Sequence, residues 1–267
     1  MTFDFLKKYK EKFALIFSKG ERKLRDFFAD NGFQCDGCGK ELFDYPVHRF
    51  CAECEEKMGY NDGRNCPKCG RKTVAEGVCL SCKSRLPKFT VGLSPFVYRG
   101  ETASFINRMK NGAPVLAAYF GERMADCFLE KFAQHSAVAG GKGILVVPIP
   151  LTKEREKTRG YNQAVELAEF FCRRLKDKGV EATLDVELLE KRRETAQQKH
   201  MNYRERQENV SGAYHVHKRS ACRGRTIVLI DDIMTTGATG SECAARLLGA
   251  EAKEVIFMVG ASLPELK

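Results

Sequence analysis

Cysteine spacing is the feature that most restricts how this chain can fold. Eight of the twelve cysteines form four Cys-x-x-Cys pairs, which are Cys35/Cys38, Cys51/Cys54, Cys66/Cys69 and Cys79/Cys82. Two cysteines three positions apart can direct both thiolates at one metal ion, and two such pairs complete a tetrahedral zinc site. One pair alone would fit a redox dithiol equally well. Four pairs so close together instead predict two bound zinc ions.

Two groupings of these pairs are open. Sequential ribbons would assign Cys35 through Cys54 to one ion and Cys66 through Cys82 to the other, whereas an interleaved cross-brace would exchange the two middle pairs. The short loop inside each ribbon favours sequential grouping. A site closed by four thiolates has no open position for chemistry, so both ions are expected to be structural. Chelation is therefore predicted to unfold this module and to leave the rest of the chain folded.

The composition is that of a globular protein with surplus positive charge. The 267 residues are 43% hydrophobic and 30% charged, and 45 Lys and Arg against 35 Asp and Glu give a net charge of +10. Such a surplus favours phosphates or nucleic acid as partners without choosing between them. No apolar run approaches the ~18 residues of a membrane helix, and charges interrupt the first seventeen positions. We therefore expect a cytoplasmic protein without a transmembrane segment or signal peptide.

Changes in composition along the chain predict three domains. Residues 1–34 form a basic amphipathic segment, predicted to be a helix, with apolar side chains at Phe3, Leu6, Tyr9, Phe13, Ile16 and Phe17. Such a helix could lie on a membrane surface or bind a partner, but packing against its own protein is the favoured interpretation. Residues 35–86 form the double zinc ribbon, and residues 87–267 form the remaining domain.

Helix and strand patterns alternate after residue 87. Helices are predicted at 102–110, 115–133, 161–175 and 240–250, and strands at 143–150, 183–189, 226–233 and 254–262. The strands at 143–150 and 226–233 are largely apolar, which is typical of parallel strands covered on both faces. This alternation predicts an α/β fold with a doubly wound parallel sheet flanked by helices.

The segment from Val228 to Thr239 gives the strongest indication of a ligand site. Its apolar strand ends in Asp231 and Asp232, and ligands of open α/β sheets bind beyond the carboxyl ends of the strands. Backbone N–H groups and hydroxyls of the loop that follows could cradle a phosphate, and this loop is Thr235, Thr236, Gly237, Ala238 and Thr239. Acids beside a phosphate loop suit a sugar phosphate, and the lysine of a Walker loop is missing.

This segment resembles the phosphoribosyl pyrophosphate (PRPP) motif of type I phosphoribosyltransferases. The resemblance implies that Asp231 and Asp232 hold the ribose hydroxyls, that residues 235–239 hold the 5′-phosphate, and that Mg²⁺ accompanies the pyrophosphate. Residues 147–168, with Pro-x-Pro and Arg-Gly-Tyr-Asn-Gln, and residues 192–214 resemble the ComF family, as does a double zinc ribbon ahead of such a domain. That resemblance implies a link to natural competence and DNA uptake, with the acceptor substrate unassigned.

Positive charge is concentrated in residues 191–225, which hold ten Lys and Arg against three Glu. In the resembled fold this stretch forms a hood that could clamp pyrophosphate and exclude water. Arg155 and Arg159, shortly after the first buried strand, are further candidates for pyrophosphate. Binding of single-stranded nucleic acid is the alternative for the strip. Three functions are thus left open: a phosphoribosyltransferase, a non-enzymatic PRPP sensor serving the competence machinery, and a binder of single-stranded DNA.

Overall fold

The computed structural model describes residues 34–43, 49–132, 134, 143–193 and 211–265. The chain divides into two compact units, Met1–Glu55 and Glu56–Lys267. The predicted N-terminal helix and residues 194–210 of the predicted hood lie outside the described residues. The first two cysteine pairs belong to the smaller unit and the last two pairs to the larger one.

The smaller unit holds its cysteines on short turns. Cys35 and Cys38 lie on a turn in which the Gly39 N–H donates to the Cys35 carbonyl at 2.8 Å. Gly39 has a φ of 78°, a left-handed conformation that an L side chain would strain. Cys51 lies directly before helix α1 (Ala52–Glu56), and its N–H donates to Cys35 Sγ at 3.2 Å. The turn and the helix thereby bring the two pairs together.

The larger unit contains the predicted helices and, apart from the strand at 183–189, the predicted strands, together with further short elements. It runs through α2 (Leu80–Ser84), β1 (Val91–Leu93), β2 (Phe96–Val97), α3 (Gly100–Lys110), α4 (Leu116–Phe132), β3 (Ile144–Pro148), α5 (Lys153–Arg159), α6 (Gln163–Asp177), β4 (Ala182–Leu184), β5 (Leu189–Lys191), β6 (Tyr214–Val216), α7 (Arg219–Cys222), β7 (Thr226–Met234), α8 (Ala238–Gly249) and β8 (Glu254–Ser262).

One parallel sheet organises this unit. Its strands lie in the order β1-β8-β7-β3-β4, with β2 also pairing with β8, and all of these pairings are parallel. Strand β7 therefore occupies a central position, hydrogen-bonded to β3 on one side and β8 on the other. Strands β5 and β6 form a separate antiparallel pair. The predicted parallel sheet flanked by helices is confirmed.

Helices cover both faces of the sheet. Ile227 and Leu229 of β7 pack in one buried cluster with Ala244 and Leu247 of α8. Helices α4 and α6 pack against one another so closely that a Cβ at Gly121 would lie 2.7 Å from the Leu167 carbonyl oxygen. Both β3 and β7 are buried along their apolar stretches, as expected for strands covered on two sides. None of the described helices is long and apolar enough to span a bilayer.

The prediction of a single strand at 183–189 is wrong. Two short strands, β4 and β5, replace it, and they belong to different sheets. The break lies at Asp185, whose Oδ1 accepts from the Glu187 N–H at 3.1 Å. Such a local hydrogen bond forms a turn in place of a continued ladder.

Helix α5 was not predicted because its sequence, KEREKTR, has no apolar period. Its ends hold it in place. The Thr152 side chain accepts from the Arg155 N–H, and Gly160 ends the helix in a left-handed conformation. Capping rather than an apolar face therefore specifies this helix.

Candidate functional site

The two adjacent acids lie within β7, near its carboxyl end, as predicted. The strand continues to Met234 and pairs with β8 as far as Ser262, so the predicted strand end is one residue early. Asp231 is partly exposed and Asp232 is buried. Asp231 lines a hollow shared with the loop that follows, whereas Asp232 lies against Lys110 of α3.

The loop after β7 forms the wall of this hollow. Gly237, at φ 79°, caps helix α8 in the left-handed conformation, so a side chain there would strain the backbone. The Thr236 hydroxyl accepts from the Ala238 N–H at 3.4 Å. The hollow is shallow and open to solvent, and its lining is Asp231, Ile233, Met234, Thr235, Thr236, Gly237, Ala238, Thr239, Gly240 and Phe257. The structure thus brings Asp231 together with the whole predicted phosphate loop.

Asp231 is an unusually weak acid. Burial among protein atoms and the neighbouring charge of Asp232 raise its pKa to about 8, although Lys110 opposes the shift. At neutral pH the Asp231 carboxyl therefore largely keeps its proton. Its Oδ1 accepts from the Asp232 N–H at 2.9 Å.

Asp232 has an ionic neighbour but also an unsatisfied oxygen. Lys110 Nζ lies 3.1 Å from Asp232 Oδ2, and the two side chains are 22% and 7% exposed. The same Oδ2 receives no hydrogen bond from any described residue. The ion pair with Lys110 leaves lone pairs of this oxygen unused, so Asp232 retains the capacity to accept a hydrogen bond from a hydroxyl.

Lys110 is a site residue that the sequence did not reveal. It ends α3, and Tyr161 fixes that end because its hydroxyl donates to the Met109 carbonyl and accepts from the Gly112 N–H. Lys110 and Asp232 are 122 positions apart, and no local pattern around a helix-terminal lysine predicts such a contact.

The two arginines predicted for pyrophosphate differ in their surroundings. Arg155 is exposed on α5. Burial raises the pKa of Tyr214, and the charges of Asp231 and Arg155 act on the same hydroxyl in opposite directions. Both therefore lie within electrostatic reach of Tyr214. Arg159 instead donates to Gln163 Oε1 at 2.6 Å.

The eight cysteines of the Cys-x-x-Cys pairs form two groups of four. One is Cys35, Cys38, Cys51 and Cys54, the other is Cys66, Cys69, Cys79 and Cys82, and within each group the sulfurs lie within 4.8 Å of one another. Sequential grouping, which the short loops favoured, is the observed arrangement. Four thiolates at this spacing fit zinc, which is bound tetrahedrally by soft sulfur ligands.

Arg71 is a second residue that sequence reasoning missed. It follows the Cys66/Cys69 turn, is only 6% exposed, and donates from Nη2 to the Thr235 carbonyl at 2.8 Å. The second cysteine group is thereby connected directly to the loop that lines the hollow. The contact joins residues 164 positions apart, beyond the reach of any periodicity argument.

Comparison with known proteins agrees with this geometry. Residues 161–265, which include the acids and the loop, match the phosphoribosyl transferase domain family. The chain is 30% identical over 238 residues to the competence protein ComFC of Bacillus subtilis, covering 86% of this chain and 90% of that protein. It is 33% identical over 208 residues to the DNA utilization protein YhgH of Escherichia coli, covering 77% and 87% respectively.

Similar solved structures include phosphoribosyltransferases. An HGPRT-ase from Leishmania tarentolae in complex with GMP is 12% identical, with a TM-score of 0.32, over 55% of this chain and 66% of that one. A glutamine PRPP amidotransferase from Bacillus subtilis is 17% identical, with a TM-score of 0.32, over 72% of this chain and 31% of that one.

Proposed function

Because this chain belongs to the ComF family, we propose that it binds PRPP in the hollow at the end of β7 and acts as a phosphoribosyltransferase-like protein of DNA uptake or nucleotide metabolism, in the cytoplasm. The observation that carries the proposal is the hollow itself, in which Asp231 and residues 235–239 face one space. A phosphate and a polyhydroxyl group joined in one molecule suit these two halves of the lining.

Each part of the site has a separate task in this proposal. Residues 235–239 bind the 5′-phosphate through backbone N–H groups at the start of α8 and through threonine hydroxyls. Asp231 and Asp232 accept hydrogen bonds from the ribose hydroxyls, and the unsatisfied Oδ2 of Asp232 supports this role. Arg155, and Arg159 once released from Gln163, bind the pyrophosphate. Mg²⁺, when bound with PRPP, would add charge neutralisation at the leaving group.

The reaction that such a site suits is transfer of the phosphoribosyl group. Pyrophosphate leaves the anomeric carbon as that carbon becomes oxocarbenium-like, and a nitrogen nucleophile forms the new bond. The basic side chains stabilise the charge that develops on the departing pyrophosphate. The four-thiolate groups, filled by zinc, are structural in this proposal because they have no open coordination position.

PRPP binding is the direct test. Calorimetric titration of the protein with PRPP is expected to show one site per chain in the presence of Mg²⁺ and much weaker binding when Mg²⁺ is left out of the buffer. Gly237→Val is expected to weaken binding at least roughly tenfold, because a β-branched residue is strained at positive φ and would shift the loop.

A matched control lies at the other end of the same helix. Gly249 has open space around it, with no atom within 4 Å of an added Cβ, so Gly249→Val is expected to bind PRPP like the parent. Absence of PRPP binding by the parent protein would contradict the proposed function. Equal binding by the Gly237→Val variant would contradict the placing of the phosphate.

Single-stranded DNA is a second candidate ligand. Lys218 and Arg219 are exposed at the start of α7, inside the basic strip, and two relatives carry names that refer to competence and DNA utilization. Cations on a surface bind the phosphate backbone without sequence preference.

Salt dependence tests this candidate. Affinity for a single-stranded oligonucleotide is expected to fall steeply as salt rises, each phosphate contact contributing ~0.7 to the logarithmic slope. Changing Lys218 and Arg219 together to Gln should make the slope shallower, whereas the same changes at the exposed Lys176 and Lys178, at the end of α6, should not. An affinity that is independent of salt would rule out this electrostatic binding.

A further inference from the structure

The turn that carries the second cysteine group lies directly against the strand beside it. The Gly92 N–H of β1 donates to the Lys68 carbonyl at 2.8 Å. A Cβ at Gly92 would lie 2.6 Å from the Cys69 carbonyl oxygen, and one at Gly70 would lie 2.8 Å from the Gly92 carbonyl carbon. No side chain fits between these backbones. The position of the turn is therefore set by its contact with β1 and by its own cysteines, Cys66 and Cys69.

Arg71 transmits this position to the phosphate loop. Its backbone is held inside the cysteine group because its carbonyl accepts from the Cys66 N–H at 2.9 Å. Its buried guanidinium donates to the Thr235 carbonyl at 2.8 Å. Because a trans peptide is planar, a fixed Thr235 carbonyl also fixes the Thr236 N–H, which points in the opposite direction, away from Arg71.

Residues 88–90 provide a second connection between the same parts. Lys68 donates from Nζ to the carbonyls of Phe89 and Thr90. The Phe89 ring packs against Phe257 with 5.2 Å between ring centroids and would lie 3.8 Å from a Cβ at Gly237. The Lys88 N–H donates to the Ser241 hydroxyl of α8 at 3.0 Å.

We propose that Arg71 is a positioning residue of the phosphate site, which holds the 235–239 loop in its binding conformation, and that the second cysteine group is therefore part of this site. This inference rests on the proposed function and deepens it. Arg71 acts through the loop backbone, so its effect falls on the phosphate half of PRPP and leaves the pyrophosphate half unchanged.

Three ligands distinguish an effect on the phosphate half of PRPP from an effect on its pyrophosphate half. Ribose 5-phosphate, Mg²⁺-pyrophosphate and PRPP are titrated into the full chain and its variants. Arg71→Met is expected to weaken ribose 5-phosphate and PRPP about tenfold, as expected for loss of a charge-assisted hydrogen bond, and to leave pyrophosphate affinity unchanged. Arg71→Lys, which keeps a cationic donor, should recover part of the loss. Arg64→Met, which removes an exposed arginine of the same ribbon, should match the parent.

Hydrogen exchange of the loop makes the inference testable without a ligand. In the free protein, Arg71→Met is expected to speed exchange of the amides of residues 236–240 while the zinc content stays at that of the parent. Unchanged exchange and unchanged ribose 5-phosphate affinity, in a parent that binds PRPP, would overturn the inference and leave the proposed function standing. Faster loop exchange with a parent that binds no PRPP would instead overturn the proposed function and limit Arg71 to positioning the loop.

If Arg71→Met fails to fold, the same measurements on Arg71→Lys decide the question. A weakening of pyrophosphate binding equal to that of ribose 5-phosphate would also count against the inference, because a general loss of structure affects both halves alike.

Discussion

Replacement of Asp231 by Asn is expected to stabilise the ligand-free protein and to weaken PRPP binding at least roughly tenfold. Asn has the same size but cannot ionise, so at pH 8 and above, where the Asp231 carboxyl carries its charge, the variant lacks the charge-assisted hydrogen bonds to ribose hydroxyls, worth ~1.5–3 kcal/mol each. It also removes a carboxyl whose ionised form is disfavoured by burial and by Asp232. Binding and stability therefore move in opposite directions.

The stability change should depend on pH with a definite sign. The pKa of Asp231 is about 8 in the folded protein against an ordinary value of 3.8, so between these values the folded state holds a proton that the unfolded state has released. The parent therefore loses stability as pH rises from about 4 to about 8. The Asn variant does not share this loss, so its advantage in free energy of unfolding should grow to about 2 kcal/mol by pH 8. This is less than the full pKa shift would give, because solvent screens the partly exposed carboxyl.

Asp232→Asn provides the contrast. It removes the counter-charge of Lys110, which lies 3.1 Å from Oδ2, and breaking a partly buried ion pair destabilises the fold. PRPP affinity should nevertheless fall as it does for Asp231→Asn. Asp185→Asn is a suitable control, because Asn keeps the oxygen that accepts from the Glu187 N–H. Chemical unfolding at several pH values and calorimetry check all three; tight PRPP binding by both site variants would refute the assignment of the ribose.

Loss of the second metal ion is expected to have the largest effect on the fold. Cys69→Ser should reduce bound zinc from two ions to one, lower the melting temperature by roughly 10 °C or more and abolish measurable PRPP binding. The reason is that all four cysteines of this group belong to the same buried cluster as Phe89, as Met234 directly before the phosphate loop, and as Ala238 within it.

The first cysteine group offers a matched variant. Cys54→Ser should also remove one zinc ion, but the hydrogen bond to the Thr235 carbonyl comes from Arg71, whose backbone is held by Cys66 of the second group, so PRPP binding should persist. Zinc analysis, thermal unfolding and PRPP titration on both variants check this expectation. Equal loss of PRPP binding in the two variants would contradict it.

The sequence predicted the parts of the site that are local in the chain. Asp231, Asp232 and the 235–239 loop belong to one short segment, and the two cysteines of each pair are only three positions apart. Spacing along the chain was therefore sufficient to predict them as site residues. The contacts of Lys110 with Asp232 and of Arg71 with Thr235 depend on how distant elements pack. A buried lysine or arginine has no pattern that distinguishes it from a surface one before its partner is known.

The same difference between local and distant contacts explains the outcome of the predictions on chelation and on strand boundaries. Composition separates cysteine-rich from cysteine-poor sequence at residue 87, which predicted a zinc module that unfolds alone. Packing instead unites Cys66 through Cys82 with the sheet, and the Cys69→Ser experiment decides between these expectations. Strand lengths were similarly misjudged at Asp185, where one side-chain hydrogen bond outweighs the β propensity of its neighbours.

The long separation between Arg71 and Thr235 has a consequence during synthesis on the ribosome. The chain emerges from its N-terminus at ~5–20 residues per second, so the 164 positions between them take roughly 10–30 s to translate. Throughout that interval the nascent cysteine turn can capture metal while its arginine has no carbonyl to bind. The metal-bearing turn is thus available as a preformed surface on which β7 and α8 dock when they are finally made.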